Sequence, residues 1–295
     1  VDLSDRAHVS TVEANGIAHF VVRFGEAREP ERTLVCAHGF LDHAFGFEPL
    51  ARHLVPMGFA VIAFDFRGHG RSGWVPPGGY YHFADYVADL DALLPKIAPP
   101  RPHLLGHSMG GTAAGLFAGA RPEAIGKLVL LEGLGPPEAP VAEAPQRMRA
   151  FLDGVARVRE RGREHPGRPM ASVEEALVRM RRVHPEIGDD PGLFLAEKAT
   201  RELPDGTRVF RYDPLHRTTS PNLYRFDVHA ALLGEIRAET LLVYGSKGYR
   251  FPPEEEQRRE AAIPSRRRVI IEGAGHMMHW THPREVAEAI ALHLT

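Results

Sequence analysis

HLLGHSMGG, residues 103–111, is the stretch whose reading decides the fold. An apolar run enters Gly106-x-Ser108-x-Gly110, and a stretch rich in alanine and glycine follows it. The run reads as a buried strand and the small-residue stretch as a closely packed helix. The turn between them is so tight that its flanking positions need residues without bulk. Such a turn lifts Ser108 to the end of the strand with its hydroxyl exposed. The start of the helix aims backbone N–H groups and a positive dipole end at the same point, where a developing oxyanion is stabilised. The pattern alone is short and recurs by chance. Its weight comes from the strand before it and the helix after it. The bland alternative is a Gly-Ser turn that merely lets the helix pack closely.

On either side, short apolar runs alternate with helical patterns. The runs are TLVCAHG (33–39), FAVIAFD (59–65), KLVLLEG (127–133), TLLVYG (240–245) and RVIIEG (268–273). Ahead of them, HVSTVEANGIAHFVVRFG alternates around Asn15-Gly16, the signature of a β-hairpin. Strands alternating with helices predict an α/β fold: a mostly parallel, doubly wound sheet covered on both faces. One interval breaks the rhythm. About 100 residues separate KLVLLEG from TLLVYG, far more than a crossover needs. Its proline-rich start reads as a linker, and two amphipathic helices follow. The first carries Met148, Phe151, Leu152, Val155 and Val158 on one face; the second carries Val173, Ala176, Leu177 and Met180. The expected organisation is a core domain, 1–135 and 231–295, with a helical lid, 136–230, inserted into it.

The 295 residues are 43% hydrophobic and carry a formal net charge of −2, which gives no bulk attraction to nucleic acid or anionic membrane. The lid's arginines are interleaved with Asp153, Glu160, Glu164, Glu174 and Glu175, as on solvated helix faces. No run of roughly 18 apolar residues predicts a membrane span, and the N-terminal segment VDLSDRAHVS lacks an apolar signal core. The single cysteine, Cys36, excludes an intrachain disulfide and reads as a small buried hydrophobe. Together these lead us to expect a cytoplasmic protein.

With the elbow in place, further segments give nearly the whole chain a resemblance to the α/β-hydrolase family. AHGFLDH (37–43) resembles the family's loop after the third strand, which implies an oxyanion hole from the N–H groups of Phe40 and Met109. DFRGHGRS (65–72) resembles the loop after the fourth strand, where Asp65 and Arg67 shape the loop. GAGHMMHW (273–280) resembles the loop that holds the catalytic histidine, implying His276. The lid's place after the sixth strand also matches. Among 17 histidines a lone one says little. His276 is singled out by its Gly-Ala-Gly loop and by coming last in the order serine, acid, histidine. His279 and His282 read as helix-cap or surface residues, and His38 and His107 as orienting or structural ones.

The family usually places its acid after the seventh strand, in the turn aligned with GSKGYRFPP, where this chain has Gly248. The strand KLVLLEG ends instead in Glu132. A glutamate there, buried beneath a lid, is costly unless paired. Some family members, certain haloalkane dehalogenases among them, carry the acid after this same strand, so the resemblance implies Glu132. The alternative is a glutamate that bonds the linker's amides. Rival acids are Asp213, Asp227 and Glu272, the last expected to point into strand packing.

Serine with histidine calls for acyl transfer: attack on a carbonyl, an acyl-enzyme, then hydrolysis. The dehalogenase likeness stops short of function, because those enzymes use an aspartate nucleophile. The expected activity is hydrolysis of a small to medium carboxylic ester by Ser108, His276 and Glu132. Other readings are a C–C bond hydrolase or cofactor-free peroxidase of the same fold, or a non-catalytic ligand-binding member. No metal spacing and no cofactor fingerprint stands in the sequence, and the expected partner is a small-molecule ester. Phe151, Tyr212, His216 and Trp280 are the candidate substrate contacts, with Tyr224 nearby.

Overall fold

Asn15 and Gly16 both take positive φ, 48° and 71°, and turn β1 (His8–Ala14) back onto β2 (Ile17–Phe24). This is the mirror-image turn that a two-residue hairpin loop requires. The computed structural model describes residues 7–163 and 167–295. The N-terminal residues read above for a signal core, 1–6, and Glu164 lie outside the described residues.

The chain continues through β3 (Thr33–Ala37), α1 (Glu48–Leu54), β4 (Ala60–Phe64), α2 (Phe83–Ile97), β5 (His103–His107), α3 (Met109–Ala120) and β6 (Leu128–Leu131). The long interval then holds α4 (Ala144–Arg161), α5 (Val173–Arg181), α6 (Asp189–Ala199), a small hairpin of β7 (Thr200–Glu202) and β8 (Arg208–Phe210), and α7 (Phe226–Leu233). The last segment supplies β9 (Thr240–Gly245), α8 (Pro253–Ala261), β10 (Arg266–Ile271), α9 (Met278–Thr281) and α10 (Pro283–Leu294).

Eight strands form one sheet in the order β1-β2-β4-β3-β5-β6-β9-β10. β2 runs antiparallel to both neighbours, and the strands from β4 to β10 pair in parallel. The interior strands are apolar on both faces because helices cover both. On β3, Val35 and Ala37 join the core beneath α2, α3 and α7, while Leu34 and Cys36 face α1 and α10. Cys36 is buried, and burial pushes its thiol up, far from a reactive thiolate. No helix among the described residues is long and apolar enough to cross a membrane.

Two apolar clusters join the interval to the loops after β4 and β10. Val155 and Leu215 pack with Val75, with Phe151 and Val158 at the edge of that cluster. Met170, Ala176, Leu177 and Leu195 pack against Met277 and Trp280 beside α9. The apolar face of α4 is narrower than its sequence pattern. Met148 and Leu152 point outward, 47% and 57% exposed. α7 differs from the rest of the interval: its Phe226 and Leu233 belong to the core under the sheet.

The parallel order places the ends of β3, β5, β6 and β9 side by side. That row of carboxyl ends is where open α/β sheets hold their ligands.

Candidate active site

Ser108 follows β5 directly, with φ 51° and ψ −115°, and caps the start of α3. This backbone region is costly for a residue with a side chain and persists only where packing enforces it. The glycines enforce it. A β-carbon at Gly106 would stand 2.5 Å from the Gly110 carbonyl oxygen, and one at Gly110 would overlap the carbonyl of Ala37. Helix, strand and neighbouring strand end approach too closely for any other residue.

Glu132 follows β6 directly in the same manner, at φ 44°. Its amide extends the sheet by donating to the Val243 carbonyl (3.0 Å), and its side chain turns toward the end of β9. Oε1 accepts from the Gly245 N–H (3.0 Å). Oε2 accepts from the Tyr249 N–H (3.0 Å) and from His276 Nδ1 (2.6 Å). Only 2% of the carboxylate side chain is exposed, so these three donors replace its water. A carboxylate only accepts, so Nδ1 of His276 carries the proton and Nε2 presents its lone pair. Gly248 makes room for this: a β-carbon there would overlap Oε1 of Glu132.

His38 organises the loop after β3. Its Nε2 accepts from the Phe66 N–H (2.9 Å), so its Nδ1–H donates to the Gly39 carbonyl (2.7 Å). In a trans peptide the N–H of Phe40 points opposite to that held carbonyl. Asp65 accepts from the amides of Ala44 (2.6 Å) and Arg71 (2.7 Å), and Arg67 pairs with Asp89 (2.7 Å). Both shape loops.

Ser108, Met109, Glu132, His276 and Phe40 border one cavity of about 1090 Å³. One wall is aromatic, with Tyr80, Tyr81, Phe83, Tyr86 and Phe151; His184, Glu186 and Lys247 stand at another side. Of the expected substrate contacts, Phe151 and His216 line the cavity. His216 lies against Tyr81, ring centroids 3.9 Å apart, and burial pushes its imidazole down to about 4.

Tyr212, Tyr224 and Trp280 do not line the cavity. Tyr212 is buried on Phe210 and accepts from Arg217 through its hydroxyl. Tyr224 reaches the Leu134 carbonyl (3.4 Å), and Trp280 packs among Met170, Leu177 and Met277. Tyr212 and Trp280 are held by packing with the interval, whereas Tyr224 packs against the core beneath the sheet. His279 is fully buried rather than a cap or surface residue, because α9 turns it inward against Phe47. His282 sits at the start of α10. Glu272 is exposed and accepts from Ser246 Oγ (3.0 Å) rather than packing under its strand. Asp213 is engaged by Arg163 and the Tyr81 hydroxyl, and Asp227 by Arg225 (2.7 Å).

Arg259 has no counterpart in the sequence reading. It is fully buried on α8, donates to the carbonyls of Leu134 (2.7 Å) and Pro136 (3.0 Å), and pairs with Glu255 (2.7 Å). It thereby pins the chain where it leaves β6, just after Glu132. In the sequence it is one arginine in a charged helix, with nothing to mark it.

Residues 32–283 match the profile of the α/β-hydrolase fold family. A serine hydrolase-like protein of Danio rerio is 29% identical over 266 residues, covering 88% of this chain and 80% of its own. A 2-hydroxy-6-oxononadienedioate/2-hydroxy-6-oxononatrienedioate hydrolase of Pseudomonas putida is 28% identical over 268 residues, covering 88% and 87%. Among solved structures, the thioesterase domain from the curacin biosynthetic pathway superposes with a TM-score of 0.81 at 25% identity, covering 98% of each chain. Sheet order, elbow and matched length agree: the chain belongs to the α/β-hydrolase fold family.

Proposed function

We propose that the protein is a serine hydrolase that cleaves carboxylic esters through an acyl-enzyme, with Ser108 as nucleophile, His276 as base and Glu132 as acid. The observation that carries this reading is the 2.6 Å hydrogen bond from His276 Nδ1 to Glu132, in the cavity that Ser108 also borders. With Nδ1–H committed to the carboxylate, Nε2 takes the serine proton as Oγ attacks the substrate carbonyl. The imidazolium so formed is stabilised by Glu132. The N–H groups of Phe40 and Met109 receive the developing oxyanion, the first aligned by His38 and the second at the start of α3. His276 then protonates the leaving alcohol. Water attacks the acyl-enzyme with the same histidine as base, which frees the acid and restores Ser108.

The interval 136–230 acts as a lid. Phe151 on α4 and His216 line the cavity from that side, and the aromatic wall suits an apolar acyl or alkoxy group.

C–C bond hydrolysis is the second reading, favoured by the likeness to the Pseudomonas putida hydrolase. Treatment with a fluorophosphonate, followed by peptide mapping, tests for an activated serine. Modification confined to Ser108, and absent in Ser108→Ala, is the expected result. An unlabelled wild-type protein would fit a silent ligand-binding cavity instead. A panel of nitrophenyl esters set beside a vinylogous 1,5-diketone acid then separates the two hydrolase readings. Faster turnover of the esters is expected.

A further inference from the structure

Behind the elbow and outside the cavity, three side chains from three separate segments converge. Asp42 belongs to the loop after β3, His107 ends β5, and His279 lies in α9. All three are buried, and each offers a ligand-type atom within 4.8 Å of the other two.

Each presents a buried polar atom that has no hydrogen-bond partner among the described residues. Asp42 uses Oδ1 to accept from the His43 N–H (2.7 Å) and leaves Oδ2 bare. His107 donates Nε2–H to the His276 carbonyl (3.0 Å), which fixes its tautomer and leaves the Nδ1 lone pair bare. His279 has no hydrogen bond at either nitrogen among the described residues, and its Nε2 stands at ion-pair distance, 3.7 Å, from Asp42 Oδ2, longer than a hydrogen bond. Buried polar atoms in native folds are nearly always satisfied, so one such atom from each of three converging side chains calls for a shared ligand. Gly39 leaves room beside them: a β-carbon there would lie 2.7 Å from His107 Nδ1.

We propose that Asp42, His107 and His279 bind one divalent transition ion, zinc or a first-row neighbour. Two neutral imidazoles and a carboxylate are a zinc-type donor set, whereas magnesium and calcium take oxygen ligands. Ligand atoms around a tetrahedral zinc ion lie about 3.4 Å apart, so the three, now within 4.8 Å of one another, would move together by up to roughly 1 Å to close onto it. Water or hydroxide completes the fourth position. The ion would tie together the loop bearing Phe40, the elbow bearing Ser108 and the loop bearing His276. The site has no sequence signature, because its ligands are scattered over positions 42, 107 and 279. It stands independently of the ester-hydrolase reading.

Untagged protein grown with added zinc, passed over a chelating resin and assayed by plasma mass spectrometry tests the proposal. One zinc per chain is expected in the wild type, with loss of it in Asp42→Asn and in His279→Gln. Metal-free protein should gain roughly 5 °C in Tm when free zinc stands a hundredfold above its Kd. Cobalt(II) bound to the wild type should give the strong visible absorption of a four-coordinate ion, a readout that needs no variant to fold. Substoichiometric zinc with an unmoved Tm overturns the proposal. So does a weak, six-coordinate cobalt spectrum. Equal zinc in folded Asp42→Asn and His279→Gln also overturns it, by showing capture elsewhere among the 17 histidines.

Discussion

A β-carbon at Gly248 would overlap Oε1 of Glu132, so glycine at 248 and glutamate at 132 form one arrangement. The carboxylate from β6 fills the volume that an acid after β9 would take. All three groups around it are donors: two backbone N–H groups and Nδ1–H. Glu132→Gln must turn an amide NH₂ toward at least one of them. We therefore predict a fall in ester-hydrolysis kcat of about 10⁴, the loss seen when a triad carboxylate becomes an amide. A kcat within tenfold of wild type contradicts the assignment. Gly248→Asp should not rescue Glu132→Gln, because the glutamine still fills the space. On a Glu132→Ala background the volume is free, and a tenfold or greater recovery of kcat is expected. Ser108 and His276 were legible in the sequence because each sits in a fixed loop pattern after an apolar strand. Glu132 was legible through the cost of burying an unpaired carboxylate. Asp42, His279 and Arg259 were not, since their partners lie far along the chain and no local pattern marks them.

Among the elements, α4 separates what periodicity reveals from what it hides. Its apolar positions predicted a helix, and a helix spans Ala144–Arg161. Which of those positions find a neighbour is a tertiary matter. Phe151 reaches Tyr80, with ring centroids 5.3 Å apart, and lines the cavity, while Met148 and Leu152 face outward. The β7–β8 hairpin had no signal in the sequence, because three-residue strands show no alternation. Tyr212 and Trp280 were misplaced for a related reason: composition near a site cannot distinguish packing from lining. Phe151→Ala should widen the aromatic end of the cavity. The kcat/KM ratio for long over short nitrophenyl esters should then rise about tenfold, the scale of one to two methylenes in an apolar pocket. A ratio unchanged from wild type would remove Phe151 from the substrate site.

At the scale of the whole molecule, the mostly parallel sheet and its two buried faces followed from the alternation of apolar runs with helical patterns, a signal spread over many residues. The buried histidines did not show in the sequence, yet they govern the response to acid. Burial holds His216 at about 4 and pushes His69 well below the usual imidazole range. An unfolded histidine binds its proton near pH 6.5. Between there and about pH 4 the unfolded chain holds more protons than the folded one, so stability falls as pH drops. Each such histidine contributes a slope of about 1.4 kcal/mol per pH unit. The urea midpoint should therefore be clearly lower at pH 5 than at pH 7.5, and equal midpoints would contradict this. The reaction itself gives the most direct test. Wild-type protein is mixed with a nitrophenyl ester, quenched within the first turnover and analysed by intact mass and peptide mapping. A mass increase of one acyl group is expected, carried by Ser108 and accumulating in step with the first released nitrophenol. Turnover with no acylated protein, or with the acyl group on another residue, would contradict it.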